Sequence, residues 1–440
     1  MRSSLPKVLQ PLAEKTLIDH VVDTAEAIQD RVPIVVVGHG ADLVKSHLSE
    51  RNVRFAYQAE QLGTGHAVAQ ALHLVQDDDI VLVLYGDVPL VTTQTLRILL
   101  ENAKNGALAW LSTLLDNPSG FGRIVRNARG DVVAIVEEKD ATPAQRELCE
   151  VNTGILAVQC AALKRWAGQL DCKNAQREYY LTDCLSMAVA EGVQVKVHRC
   201  TDSEEVLGIN DKSQLSIAER ALQKRRSHRL LKEGVTLRDP MRLDIRGEVI
   251  AGSDVEIDVG VILKGKVRLG DRCYVGPYTV LNECDIGAGT RIEAHSIIEN
   301  ANIAPNCSVG PFSRLRPGTH LSEGARVGNF VEIKNSSLGR GSKVNHLSYI
   351  GDSTLGEKVN IGAGTITCNY DGVNKHRTSI GDNAFIGSNT ALVAPVNVGK
   401  SATIGAGSVI SKDAPAGKLT LARAPQITIP DWKRPGKKEG

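Results

Sequence analysis

The stretch that decides the fold is "LNECDIGAGTRIEAHSIIENANI" (281–303). Leu281, Ile286, Ile292, Ile298 and Ile303 recur in it at steps of five or six. Such a step fits neither an amphipathic helix nor an alternating strand, and a sustained short period marks a repeat architecture. The rhythm runs outward in both directions. Ile257, Leu263, Leu269 and Val275 precede the stretch; Val309, Leu315, Leu321, Val327, Ile333, Leu338, Val344, Ile350, Leu355 and Ile361 follow it. Gly commonly comes after the aliphatic residue, and a small residue often stands four positions on, as in "IGAGTR" (286–291). Each unit supplies one inward knob, and the small residues are expected to permit the sharp turns. Three units make a triangular turn. The chain is therefore expected to wind into a prism whose coils stabilise one another only in number.

The rhythm breaks once. After Thr367 the next aliphatic position is Ile380, a step of 13, which places an inserted loop in "TCNYDGVNKHRTS" (367–379). The repeat resumes at Ile386, Leu392, Val398, Ile404 and Ile410. A loop pushed out of a regular solenoid is where function concentrates. Polar residues gather near it: Arg314, Arg316, Glu332, Lys334, His346, Tyr349, Asn360, Asn369, Tyr370 and Lys375. Arg316 and Lys334 stand 18 apart, so they stack on successive coils as a basic wall suited to a phosphate or carboxylate. His346 beside that wall is the side chain fitted to take a proton near neutral pH.

Residues 1 to about 210 follow a different grammar. "IDHVVDTAEAIQD" (18–30) has helical spacing. "VPIVVVGHG" (32–40), "DIVLVLYGDVPLV" (79–91), "GALAWLSTLL" (106–115) and "VNTGILAVQC" (151–160) read as strands. Apolar runs separated by helices predict a parallel sheet covered on both faces, with ligands at the carboxyl ends of its strands. "DKSQLSIAERALQKRRSHRLLKEG" (211–234) predicts one connector helix ended by Gly234, with "KRRSHR" (224–229) as a solvated basic face. The domain reading is 1–210, linker helix 211–234, and repeat domain with tail 235–440.

Composition narrows the function. With 440 residues the chain can bury more than one core, and a net charge of +2 excludes a global field for nucleic acid. Nine Cys, none in a C-x-x-C pair, predict neither a zinc cluster nor a disulfide framework and fit a reduced, cytoplasmic chain. Pro6, Lys7 and Gln10 interrupt any signal-peptide core, and no apolar run reaches the roughly 18 residues of a membrane span. Partners are therefore expected among small molecules and copies of the chain itself.

The first half carries an ordered set of polar motifs: "YQAEQLGTGHAV" (57–68), "LYGDVPL" (84–90), "GFGRIV" (120–125), "IVEEKDA" (135–141) and "EVNTGI" (150–155). Each alone is turn or helix-end chemistry, although an Asp after a buried strand is a usual metal–phosphate ligand. The repeat half resembles the hexapeptide-repeat acyltransferases, which implies left-handed parallel β-helices that trimerise with active sites between neighbouring prisms. The motifs in this order, the connector and the repeat break together resemble the bacterial bifunctional N-acetylglucosamine-1-phosphate uridyltransferase / glucosamine-1-phosphate N-acetyltransferase family, over nearly the whole chain.

That resemblance implies an α/β Rossmann-like nucleotidyltransferase domain followed by a left-handed parallel β-helix of hexapeptide repeats. It implies UMP transfer from UTP to N-acetylglucosamine-1-phosphate in the first half. There Lys7 contacts phosphate; Gln58, Gly63 and Thr64 hold uracil; Tyr85, Gly122, Glu137 and Asn152 contact the sugar nucleotide; Asp87 and Asn210 hold Mg²⁺. It implies acetyl transfer from acetyl-CoA to glucosamine-1-phosphate in the second half. There His346 is the general base, Arg316, Lys334, Tyr349, Asn360 and Lys375 grip the sugar phosphate, and Ala363, Asn369, Tyr370, Ser388, Ala406 and Arg423 line the acetyl-CoA site.

In the family, the segment matching "MRSSLPKVL" (1–9) follows a buried strand and a Gly-rich loop. The expectation is that uridyl transfer is weak in the 440 residues alone and that acetyl transfer is intact, because backbone N–H groups of such a loop cradle phosphates. Two rival readings stand beside the bifunctional one: a non-catalytic scaffold, and a single-activity sugar nucleotidyltransferase with a regulatory β-helix. His346 with Lys334 and Arg316 argues against the first, and the insertion with Asn369 and Tyr370 against the second.

Overall fold

The computed structural model describes residues 1–28 and 31–434. Positions 29 and 30 of the expected helix 18–30, and the end of the tail at 435–440, lie outside the described residues. The chain divides into two compact units, Met1–Leu222 and Gln223–Gly440, so the division falls inside the long helix Lys212–Lys232. Among the described residues no helix is long and apolar enough to cross a membrane.

In the first unit the helix Leu17–Glu26 starts where Thr16 caps it. Asp19 N–H donates to Thr16 Oγ1, and Thr16 N–H donates back to Asp19 Oδ2. The expected strands form at Ile34–Val37, Ile80–Val83, Leu108–Leu114 and Glu150–Gln159. Ile34–Val37 pairs in parallel with Arg54–Tyr57 as a two-stranded sheet.

The main sheet has six strands and is mixed, which corrects the expectation of a parallel sheet. Leu108–Leu114 runs antiparallel to Glu150–Gln159, as does Ile80–Val83, while Val195–Cys200 runs parallel to Leu108–Leu114. The reason lies in the connection. Between Leu114 and Glu150 the chain makes a hairpin, Arg123–Arg126 against Val132–Val136, and a single turn of helix at Pro143–Arg146, so no crossover helix carries it back. Trp110, Leu156, Val158, Leu163, Trp166 and Leu185 pack the core beneath this sheet. Among the described residues Ile34–Val37 and Ile80–Val83 each keep one edge without a strand partner, and most of their apolar side chains are only half-buried.

The second unit is a parallel β-helix. Its strands join two parallel sheets of eleven and sixteen strands, and the aliphatic positions read from the sequence pair coil on coil: Val309 with Val327, Val327 with Val344, Leu315 with Ile333. Every one of those aliphatic side chains is buried in a single core. The inserted loop appears as a register jump, because Leu355 pairs with Ile380 and Ile361 with Ile386, 25 residues on instead of 17 or 18.

Small residues make some of the turns, as expected, with Gly289, Gly318 and Gly364 at φ 69°, 80° and 72°, but not all of them. Left-handed corners are occupied by bulky side chains at Tyr278, His295, Phe312, Phe330 and Leu347, with φ between 48° and 59°. Consecutive rings of the first four stack 4.8–5.3 Å apart at one edge of the prism. The glycines that follow the aliphatic residues are needed for close approach instead. A Cβ on Gly362 would come within 2.5 Å of the Ser388 nitrogen, and one on Gly387 within 2.4 Å of that of Ala406.

The helix Lys212–Lys232 ends as expected: Gly234, at φ 94°, turns the chain so that Val235 N–H returns to the Leu230 carbonyl. Its basic run is not a plain solvated face. Arg226 Nη1 donates to the Ile245 carbonyl at 2.5 Å, and buried Ser227 donates to the Pro240 carbonyl at 3.1 Å.

Candidate active sites

The first unit brings its candidate residues together at the loop ends of its strands. Lys7 sits in a single turn after Pro6, and its Nζ donates to Asp87 Oδ2 at 2.5 Å and to Asn210 Oδ1 at 2.8 Å. Asp87 follows the strand Ile80–Val83, and its carbonyl accepts Ile209 N–H at 2.9 Å, which fixes the neighbouring Asn210 beside it.

Gln58 is buried at the end of the strand Arg54–Tyr57 and donates to the Gly63 carbonyl at 3.2 Å. Gly63, at φ 106°, starts the helix Thr64–Leu72; a Cβ there would meet the Tyr179 backbone at 2.8 Å. Thr64 accepts Leu181 N–H at 3.4 Å and hydrogen-bonds the Tyr85 phenol. The Tyr85 ring lies so close over Gly154 that a Cβ there would come within 2.5 Å of it. Asn152 Oδ1 accepts from Trp110 Nε1 at 2.6 Å and Gly154 N at 2.7 Å, and its N–H donates to the Gly122 carbonyl at 2.8 Å. Glu137 stands over Gly122 and accepts from Thr182 Oγ1 at 3.1 Å.

Burial, then the charges of Asp183, Asp140 and Glu178, pushes the Glu137 carboxyl above its ordinary value; the Thr182 hydroxyl opposes this. Burial, aided by the Glu137 and Asp87 charges and opposed by the Thr64 bond, pushes Tyr85 up to about 12, so it remains a neutral phenol at pH 7. His66, Tyr179 and Thr182 were not singled out from the sequence. The signal for the last two was "EYYLTD" (178–183), the segment against which the glycine turn docks.

In the second unit two sets form. One is a corner column. Asn329, His346, Ala363, Ser388 and Ala406 each stand two residues after a buried aliphatic knob: Val327, Val344, Ile361, Ile386 and Ile404. Main-chain bonds tie them in sequence: Leu347 N to Asn329 O (3.1 Å), Gly364 N to His346 O (3.3 Å), Asn389 N to Ala363 O (2.7 Å) and Gly407 N to Ser388 O (2.8 Å). Arg423 Nη1 closes the column on the Ala406 carbonyl at 2.8 Å. Period and insertion thus place the expected base and most of the expected acetyl-CoA residues at one corner. His346 Nδ1 lies 3.0 Å from Asn329 Oδ1. With that amide oxygen accepting, Nδ1 carries the proton and Nε2 presents a free lone pair.

The other set is the basic wall. Arg316 pairs with Glu332 at 2.9 Å, and Lys334 with Asp352 at 3.4 Å, so both stacked cations are balanced by carboxylates. Lys375 comes from the inserted loop and stands against Lys334. That ammonium, then burial and Arg316, holds Lys375 below the ordinary lysine value. Tyr349 precedes Ile350 on the same face, next to Gly351. Asn369, buried, donates to Asp352. Tyr370 is exposed, its hydroxyl on the Gly372 carbonyl, and it bridges Lys375 across the loop.

Asn360 stands apart from this network. It is in register with Lys343 and Phe385 on the eleven-stranded sheet, and no side-chain hydrogen bond joins it to the wall among the described residues. Asp352 and Asn329 were missed as members of the site, and Glu332 was named among the polar residues without a role. The coil period pointed to the first two: Asp352 is 18 residues after Lys334, and Asn329 is 17 before His346.

Comparison with known proteins places both halves. A MobA-like NTP transferase domain matches residues 1–167, and the hexapeptide repeat of succinyl-transferase matches residues 377–412. The chain is 53% identical over 438 residues to "Bifunctional protein GlmU" of Alkalilimnicola ehrlichii, covering 100% of this chain and 94% of that protein. It is 52% identical to the protein of the same name from Aromatoleum aromaticum and 54% identical to that from Stenotrophomonas maltophilia, covering 100% of this chain and 96% of each. The chain belongs to the bifunctional GlmU family. GlmU membership gives the architecture its description: an α/β nucleotidyltransferase domain followed by a left-handed β-helix of hexapeptide repeats. It also explains why the chain carries one cluster of candidate residues in each unit, and it weighs against the scaffold and regulatory-helix readings.

Proposed function

We infer that the chain is a bifunctional enzyme of UDP-N-acetylglucosamine synthesis. Its second unit transfers acetyl from acetyl-CoA to glucosamine-1-phosphate, and its first transfers UMP from UTP to the product, releasing pyrophosphate. The observation that carries the reading is His346, with Nδ1 held by Asn329, at the head of the column Ala363–Ser388–Ala406.

In acetyl transfer His346 Nε2 takes the proton as the sugar amine attacks the thioester carbonyl. A backbone N–H of the column stabilises the tetrahedral oxyanion, and the CoA thiol departs with a proton. Arg316, Lys334, Tyr349, Asn360 and Lys375 grip the sugar phosphate, Asn360 from the eleven-stranded sheet and apart from the other four, and Asn369, Tyr370 and Arg423 flank the acetyl-CoA path. Arg316 and Lys334 are already paired with carboxylates, so Lys375, which makes no ion pair within 4.0 Å among the described residues, adds the positive charge that a phosphate needs.

In uridyl transfer the chemistry is charge neutralisation and in-line positioning. Gln58, Gly63 and Thr64 hold the base; Tyr85, Gly122, Glu137 and Asn152 hold the sugar nucleotide; Lys7 meets phosphate. Asp87 and Asn210 offer two hard oxygens converging on one cation, the Lys7 ammonium, and so fit Mg²⁺. No group of three or more His, Cys, Asp or Glu could hold a metal among the described residues, so substrate phosphates and water would complete its shell. Bound there, Mg²⁺ would neutralise the triphosphate charge.

The exposed edge of Tyr278, Phe312, Phe330 and Leu347 supports self-association, for which a homotrimer is our reading. Nine free thiols support a cytoplasmic location. Assaying each half-reaction separately tests the whole. His346→Ala is expected to cut acetyl transfer by about two to four orders of magnitude and leave uridyl transfer unchanged. Unchanged acetyl transfer would remove His346 from its role.

A further inference from the structure

Asp352 occupies a corner of the β-helix with φ 47°, the left-handed region that Asn and Gly favour. The equivalent corners one and two coils earlier are Asn335 and Gly318. Asp also tolerates this conformation, as at Asp254 (φ 56°), so the backbone alone does not choose among Gly, Asn and Asp here.

The surroundings of the side chain do. Asp352 is 5% exposed. Oδ1 accepts from Asn335 Nδ2 at 2.6 Å. Oδ2 accepts from Asn369 Nδ2 and from Lys334 Nζ, the latter at 3.4 Å. The main chain repeats the pattern, since Asp352 N donates to the Lys334 carbonyl at 3.0 Å and Thr378 N to the Asp352 carbonyl at 3.3 Å. Asn369 and Thr378 bracket the inserted loop, so one residue ties down both its ends. The same carboxylate holds the lysine of the basic wall, against which the loop's Lys375 stands.

We propose that Asp352 is a positioning residue for acetyl transfer, locking the inserted loop to Lys334 so that the sugar-phosphate grip and the acetyl-CoA side of the site keep one geometry. This rests on the reading of the second unit given above. Burial alone would push the carboxyl up. The Asn335 and Asn369 bonds and the Lys334 charge outweigh it and hold the group below its ordinary value, so it is anionic wherever the enzyme works.

Asp352→Asn is the discriminating change, because Asn keeps the volume and suits the left-handed corner. It also turns an N–H₂ or a neutral oxygen toward the donors of Lys334 and Asn369. The expected result is a rise of roughly tenfold or more in KM for both glucosamine-1-phosphate and acetyl-CoA. The variant is expected to stay folded under assay conditions, its thermal midpoint lowered only by the carboxylate's own contribution to the fold. The glucosamine-1-phosphate effect is expected to vanish when Asp352→Asn is made in a Lys334→Met background, since the carboxylate acts there through the lysine. Unchanged KM values for Asp352→Asn, in a chain that His346→Ala inactivates for acetyl transfer, overturn this inference alone. So does a lowered midpoint with parental KM values. A fully active His346→Ala overturns the reading of the site on which it rests.

Discussion

His346 Nδ1 and Asn329 Oδ1 face each other at 3.0 Å across two successive coils of the β-helix. The amide sets which imidazole nitrogen is free, because a proton held on Nδ1 leaves Nε2 as the acceptor. Asn329→Ala is expected to lower kcat for acetyl transfer by about ten- to a hundredfold, less than loss of the base itself. Asn329→Asp places a carboxylate beside the ring, which favours the imidazolium. The base is then neutral only at higher pH, so the acid limb of the kcat/KM profile should move upward. A limb that stays in place would show that Asn329 does not face the working imidazole.

The lowered Asp352 carboxyl makes a stability prediction with a definite sign. A carboxylate whose folded value is depressed contributes stability above the unfolded value, here 3.8, and that stability is lost as pH falls through the folded value. Acid unfolding of the β-helix should therefore be less steep below pH 3.8 in Asp352→Asn than in the parent. The circular dichroism midpoint followed against pH reads this directly, and parallel curves would contradict it.

Ile333 and Phe330 are three residues apart but should behave oppositely. Ile333 is fully buried between Leu315 and Ile350, so Ile333→Ala should cost about 2–5 kcal/mol, read from denaturant unfolding. Phe330 is 56% exposed at φ 56°, a conformation that Asn adopts more readily. Phe330→Asn should leave unfolding within about 0.5 kcal/mol of the parent while weakening self-association, measured by sedimentation. An unaltered association state would take the aromatic edge out of the interface.

Lys7 bridges Asp87 and Asn210. Lys7→Ala should lower uridyl transfer by about a hundredfold, the scale of a lost charge contact in a phosphoryl-transfer site, and leave acetyl transfer alone.

The period-six spacing determined the β-helix down to individual side chains. Every knob named from it is buried, and the step of 13 after Thr367 located the insertion, because a solenoid repeats one local environment and hydrophobicity alone keeps its register. The stacking of Arg316 and Lys334 on successive coils was legible for the same reason. In the first unit, the same apolar runs marked strands but said nothing of direction. The parallel expectation failed because the hairpin between Leu114 and Glu150 reverses the chain, and pairing is decided by what a connection permits. Tertiary structure alone decided that Asp352 meets Asn335, Asn369 and Lys334 at once, that Lys7 bridges Asp87 and Asn210, and that bulky rings take some of the left-handed corners. Those facts depend on contacts between residues 17 to 203 positions apart, and a linear pattern carries no distance.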